Sequence, residues 1–158
     1  MNIESFADWY IVNEIAKNSD ANFFSSCYMF YDNGILSMGP IWDFDIAFGN
    51  IDIEELFNTD GFWVSKFGWY NRLFEDEYFR DVVRERFRKV YSNKNLYLQH
   101  IDETAQHLYK SVEENNKLWK TLGIVIYPNH AAYGSFDDEV LYLKQFLTNR
   151  MDWLNTNL

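Results

Sequence analysis

Apolar residues Ile3, Phe6, Ala7, Tyr10, Ile11 and Ile15 recur at spacings of three and four, which predicts a helix with an apolar stripe over residues 3–17. Asn18-Ser19-Asp20 ends it. Two short β-prone runs follow, Cys27–Tyr31 and Ile35–Met38, joined by Asp32-Asn33-Gly34. Asn and Gly tolerate positive φ, as a tight turn between antiparallel strands requires, so this stretch predicts a β-hairpin. Pro40 has no N–H to give to a ladder and marks the exit from the second strand. Residues 52–70, broken by Gly61 and Gly68, read as short helical turns and loops.

Three longer helices complete the pattern. Over residues 77–91, Tyr78, Val82, Val83, Phe87 and Val90 are expected on one face, with Arg80, Asp81, Arg84 and Arg88 on the other. A second helix over residues 96–122 carries Ile101, Ala105, Leu108, Val112 and Trp119. The last begins at Ser135 or Phe136, where Ser135 and Asp138 suit an N-terminal cap, and runs through Val140, Leu143, Leu147 and Leu154. The expected fold is mainly α (α+β), with one small antiparallel hairpin near the N-terminus.

Composition adds bounds. The 158 residues (19.0 kDa) suit one domain, residues 1–158, and 47% hydrophobic with 20% aromatic content excludes a disordered chain. A formal net charge of -10 repels a phosphate backbone, which argues against nucleic acid as a general partner. Cys27 is the single cysteine, so an intrachain disulfide is excluded. No run of about eighteen apolar residues suggests a transmembrane segment, and the first residues lead into helical sequence without a signal peptide.

The chemistry concentrates around the hairpin. A hairpin returns the chain to its start, so Asp20 before it and Asp43 after it are expected to be neighbours. If Trp42-Asp43-Phe44-Asp45 is locally extended, alternation sends both carboxylates to one face and both rings to the other. Close carboxylates repel, and a hard cation such as Mg²⁺, which takes a few carboxylate oxygens plus waters and phosphates, keeps them ionised together. Trp42 and Phe44 are expected to form a rigid floor beneath the aspartates and to be the cofactor-binding residues of the set. The order helix, loop acid, hairpin, second acid is that in which a kinase catalytic lobe presents its base and its metal ligand.

Asn13-Glu14, Asn18-x-Asp20, Ser26-x-Tyr28-Met29 and above all Gly39-Pro40-Ile41-Trp42-Asp43-Phe44-Asp45-Ile46-Ala47-Phe48-Gly49-Asn50 resemble the spore coat protein H (CotH) kinase-like family. The resemblance continues through Trp69-Tyr70-x-Arg72-Leu73-Phe74-Glu75-Asp76 and Val140-x-Tyr142-Leu143-Lys144-x-Phe146-Leu147-x-x-Arg150-x-x-Trp153-Leu154, nearly the whole chain. It implies an atypical protein kinase fold, ATP- and Mg²⁺-dependent phosphorylation of Ser or Thr in a secreted or surface protein, and a secreted or cell-surface location for the intact protein. Carried over by position, Asp20 resembles the catalytic base and Asp43 a Mg²⁺ ligand, with Asp45 a second ligand. Ser26 stands where many members have a metal-binding Asn. The family also implies an upstream N-terminal lobe with a Lys that grips nucleotide phosphates. Residues 1–19 supply no glycine-rich loop or strand-borne Lys, and Lys17 is assigned to the helix-end dipole. The chain is therefore expected to be the helical C-terminal lobe, inactive alone.

Rival readings are a surface adhesion or glycan-binding module and a purely structural domain. Trp63, Trp69, Tyr70, Tyr127 and Tyr133 offer flat faces for a sugar, although most rings in so aromatic a chain are expected in the core. His100, His107 and His130 lack a metal-binding spacing. The run Arg80, Arg84, Arg86, Arg88 and Lys89 interleaves with Glu77, Asp81 and Glu85, which predicts a salt-bridged, solvated face.

Overall fold

The computed structural model describes residues 1–23 and 25–158. It is mainly helical: α1 (Ile3–Ala16), a 3₁₀ turn (Ser19–Asn22), β1 (Met29–Asp32), β2 (Ile35–Met38), α2 (Glu54–Phe57), a second 3₁₀ turn (Val64–Lys66), α3 (Gly68–Leu73), α4 (Glu77–Ser92), α5 (Lys94–Trp119) and α6 (Phe136–Asn157). Among the described residues, no helix is long and apolar enough to cross a membrane.

The N-terminal helix departs from its predicted stripe. Phe6, Ala7, Trp9, Tyr10, Ile11, Asn13, Glu14, Ile15 and Ala16 are all buried, so α1 is enclosed nearly all round. The chain wraps it with β2, α4, α6 and the second 3₁₀ turn. Tyr70 of α3 lies flat on Trp9, with centroids 5.6 Å apart, and its hydroxyl donates to the Phe6 carbonyl at 2.8 Å. Each fully buried large side chain of this kind stabilises the fold by about 1.5–3 kcal/mol.

The hairpin forms where expected, two residues shorter at its start. β1 and β2 pair antiparallel with Met29 opposite Met38 and Asp32 opposite Ile35, and the turn places Asn33 and Gly34 at φ 49° and 81°. It docks on the first turn of α1: the Ser5 hydroxyl accepts the Met38 N–H at 2.9 Å, and the Asn2 N–H donates to the Leu36 carbonyl at 2.8 Å. Those contacts satisfy part of what would otherwise be an open sheet edge.

In α4, Phe79, Val83 and Phe87 face inward, whereas Tyr78 is 65% exposed, so the buried face is rotated by one residue at its N-terminal end. Its basic run pairs with the interleaved acids in part, Arg84 with Asp81 at 3.0 Å and Lys89 with Glu85 at 2.8 Å, whereas Arg86 reaches Asp8 of α1 at 2.5 Å and Arg80 donates to the Phe74 carbonyl at 2.7 Å. The fifth helix differs most from expectation. It packs on α6, yet no residue in it is fully buried, and Leu108 and Trp119 stand exposed. The final helix starts at the predicted cap, with the Ser135 hydroxyl accepting the Asp138 N–H at 3.2 Å.

Candidate active site

The floor of the site is a buried polar hub that sequence reasoning did not identify as such. Glu14 and Arg150 are 1% and 0% exposed, and the guanidinium meets the carboxylate at 2.6 Å. Glu14 also accepts the backbone N–H groups of Trp63 at 2.7 Å and Val64 at 2.8 Å. Arg150 further donates to the carbonyls of Glu14 (3.1 Å), Thr59 (2.9 Å) and Gly61 (2.8 Å). Burial pushes the Glu14 carboxyl up and the Arg150 guanidinium down, and each partner's charge opposes the other's shift.

Lys17 belongs to the same hub, which corrects its assignment to the helix-end dipole. It caps α1 in a left-handed conformation (φ 45°), and its buried ammonium donates to the carbonyls of Glu55 at 2.7 Å, Asn58 at 2.8 Å and Asp60. Burial, then the nearby Arg150 charge, lower its pKa to about 8. Three carbonyls thus occupy all three donors of the ammonium.

Asp20 sits on the 3₁₀ turn immediately beyond this hub. Asn18 caps that turn, its side-chain oxygen accepting the Asp20 N–H at 3.1 Å. Asn18 is itself fixed by its side-chain amide, which donates to the Asn13 side-chain oxygen at 3.1 Å. The Asn13 and Asn18 seen in the sequence are therefore buried struts of the Asp20 turn.

Beyond the strands, the hairpin flanks remain tied together. The Gly39 N–H donates to the Tyr28 carbonyl at 2.7 Å, and the Trp42 indole N–H donates to the Ser26 carbonyl at 3.1 Å. Ser26 and Trp42 therefore line one small cleft with Asp20, Asn18 and Asn13. Trp42 is 48% exposed and packs on Tyr28 with centroids 5.6 Å apart, so it flanks the acids at the surface and does not lie beneath them.

The Asp43–Asp45 segment is not locally extended. Asp43 takes φ 63°, and Asp45 and Ile46 form a turn, so strand alternation does not place the two carboxylates. They come together regardless. The Asp43 carboxyl is raised above the ordinary carboxylate range first by the charge of Asp45, then by slight desolvation, a side-chain hydrogen bond to Asp45, and the charge of Asp20. The arrangement is a close pair with a third acid further off. Among the described residues, no group of three or more His, Cys, Asp or Glu side chains is placed to hold a metal together. None of the described ion pairs involves Asp20, Asp43 or Asp45.

The acidic loop is pinned on its far side. The Phe48 N–H donates to the last carbonyl of α1, Ala16, at 2.7 Å, and the Asn50 side chain donates to the Asp45 carbonyl at 2.8 Å. Gly49 takes φ 81°, and a Cβ there would lie 2.3 Å from the Tyr142 hydroxyl and 2.9 Å from the Phe146 ring. Only glycine allows that approach. Beside Asp45 opens a larger cleft of about 400 Å³, walled by Phe44, Phe48, Ile124, Ile126, Tyr133 and Tyr142.

The other candidates fall away from this centre. Trp63 and Tyr70 are buried, and Tyr127 is 92% exposed outside the cleft that Tyr133 lines, so these rings build no common groove. His130 bonds Asp52 at 3.1 Å and stacks on Phe57, fastening the connection before α6.

A Mg²⁺ ion is commonly held by one or two carboxylates, with waters and substrate phosphates completing its shell. The exposed Asp43–Asp45 pair fits that donor set: two neighbouring acids, the proton affinity of Asp43 raised by the charge of Asp45, with neither in any of the described ion pairs. A helical lobe presenting one acid on a capped turn and two more after a hairpin has the layout of a kinase-like protein. The family model described as CotH kinase protein matches residues 1–154, and the chain belongs to the CotH kinase family. No curated protein and no solved structure matches the chain.

Proposed function

We propose that the chain is the catalytic lobe of an ATP- and Mg²⁺-dependent protein kinase acting on Ser or Thr hydroxyls of secreted or surface proteins. The observation that carries this reading is the electrostatic state of Asp43: an exposed carboxyl raised by a neighbouring acid and in none of the described ion pairs. Such a pair is at its most favourable when a divalent ion lies between the carboxylates. Asp43 and Asp45 are the ligands, and Ser26, across the hairpin mouth, is a further oxygen donor. Bound there, Mg²⁺ would neutralise phosphate charge during transfer.

Asp20 is the general base. Held by its capped turn, it accepts the proton of the acceptor hydroxyl as that oxygen attacks the γ-phosphorus and ADP departs. Exposed Trp42 and half-buried Phe44 flank the acids and offer ring faces to the nucleotide. Lys17 is fully engaged by backbone carbonyls, so it does not grip phosphates. That role falls to an upstream lobe, and residues 1–158 alone are expected to lack phosphate transfer.

The test is titration calorimetry of the chain with Mg²⁺ and with Mg²⁺–ATP. The wild type is expected to give a saturable heat that Asp43→Ala removes. A heat that survives Asp43→Ala unchanged would place the ion elsewhere and end this reading.

A further inference from the structure

The turn that carries Asp20 is held from inside the molecule as well as from its own flank. Asn18 is the junction. Its backbone N–H donates to the Asn13 carbonyl at 3.1 Å, its side chain donates to Asn13 at 3.1 Å, and its Oδ1 accepts the Asp20 N–H at 3.1 Å. Its carbonyl accepts the Ala21 N–H at 3.1 Å and, from far along the chain, the indole Nε1–H of Trp63 at 2.9 Å.

Trp63 has little freedom to move. Its backbone N–H donates to Glu14 at 2.7 Å, the same carboxylate receives Arg150 at 2.6 Å, and its ring packs edge-on against Phe67 with centroids 4.8 Å apart. Arg150, Glu14, Trp63 and Asn18 thus form a continuous buried series that ends on the peptide N–H of Asp20. Trp63 joins two otherwise local structures: the hub that clamps the 59–64 segment and the turn that bears the proposed base. A catalytic group displaced by about 1 Å loses on the order of 100-fold in rate, so a tie of this kind bears directly on catalysis.

We propose that Trp63 is a positioning residue for Asp20: through its indole N–H on the Asn18 carbonyl it transmits the rigidity of the Glu14–Arg150 pair to the turn that presents the carboxylate. This rests on the reading of Asp20 as the base, but the placement of the turn is testable without turnover. The informative variant is Trp63→Phe, which keeps the backbone N–H on Glu14 and a ring against Phe67 while deleting the indole donor. Trp69→Phe, at a half-exposed ring, is the control.

Amide hydrogen exchange on the 158-residue chain is expected to show the Asp20 and Ala21 N–H groups exchanging at least tenfold faster in Trp63→Phe, with Tyr31 and Met38 of the hairpin unchanged. At neutral pH the Asp20 side-chain carboxyl ¹³C resonance is expected to move in Trp63→Phe and not in Trp69→Phe. Trp69→Phe also loses ring packing, so a change confined to Trp63→Phe reports the deleted indole donor. Should Trp63→Phe fail to fold, a benzothienyl-alanine placed at position 63 keeps the bicyclic ring and replaces its N–H by sulfur. Wild-type exchange at Asp20 and Ala21 in the folded variant would overturn the proposal. Loss of the Asp43-dependent Mg²⁺ heat from the wild type would instead overturn the kinase reading and leave the exchange result to judge the tie.

Discussion

The buried hub and the acidic loop use charge in opposite ways. In the hub, Glu14, Lys17 and Arg150 are sealed from water, and every charge is answered by a carbonyl, an N–H or its opposite. At the loop, Asp43 and Asp45 stand in solvent beside one another and in none of the described ion pairs, and the charge of Asp45 disfavours ionisation of Asp43. Interior charges left unpaired unfold proteins, so the hub must be complete within the chain. Water tolerates the exposed pair, which can therefore be left incomplete and open to an ion from solution. The chain uses two of its cations to hold backbone loops and places none of its described ion pairs at the three aspartates.

The sharpest way to break that contrast is to leave one hub charge alone. Arg150→Ala strands Glu14 in the core and removes donors from three carbonyls, and it is expected to cost about 3–5 kcal/mol in chemical denaturation. Next in size is Lys17→Met, which keeps much of the volume but abandons the carbonyls of Glu55, Asn58 and Asp60, for an expected loss of about 2–3 kcal/mol. Lys17 also has a pH signature. Its folded pKa is depressed from 10.5 to about 8, so the unfolded chain holds the proton more strongly between those values. Stability from this group is therefore gained as pH rises through that window and lost as pH falls through about 8. Thermal melts across the window are expected to show that slope in the wild type and not in Lys17→Met.

The smallest effect lies at the loop. Asp45→Asn removes the largest cause of the raised Asp43 pKa, so the Asp43 carboxyl is expected to titrate closer to the ordinary aspartate range by NMR. The sign for stability follows from the raised folded value. The Asp43 contribution is present below the ordinary carboxylate range and lost as pH rises through the raised pKa. At neutral pH, Asp45→Asn is therefore expected to be as stable as the wild type or slightly more so, the reverse of the hub variants.

How much of this was legible in the sequence depended on how local the cause was. Asp32-Asn33-Gly34 forms its turn and Ser135 caps its helix because each signal acts within a few residues. The stripe on α5 was real as a pattern, but burial needs partners, and α6 and α4 cover it incompletely. The enclosed α1 likewise shows more than a stripe because elements distant in sequence close around it. Charged residues misled in a different way. Lys17 read as a helix-end cation, and Glu14 and Arg150 appeared as parts of a family resemblance, since long-range pairing across the fold has no short-range signature. Asp20, Asp43 and Asp45 were grouped from their order around the hairpin, while the reason given for the Asp43–Asp45 approach, an extended backbone, failed on the left-handed turn at Asp43.

One rod connects the two regions. Tyr142 and Phe146 of α6 form the seat into which Gly49 fits, and Arg150 of the same helix plugs the interior. Eight residues along a helix rise about 12 Å, so the two attachments are about two turns apart on a stiff body. The acidic loop and the buried ion pair are consequently fastened to a common beam, and a tilt of that beam displaces both of its fixtures together.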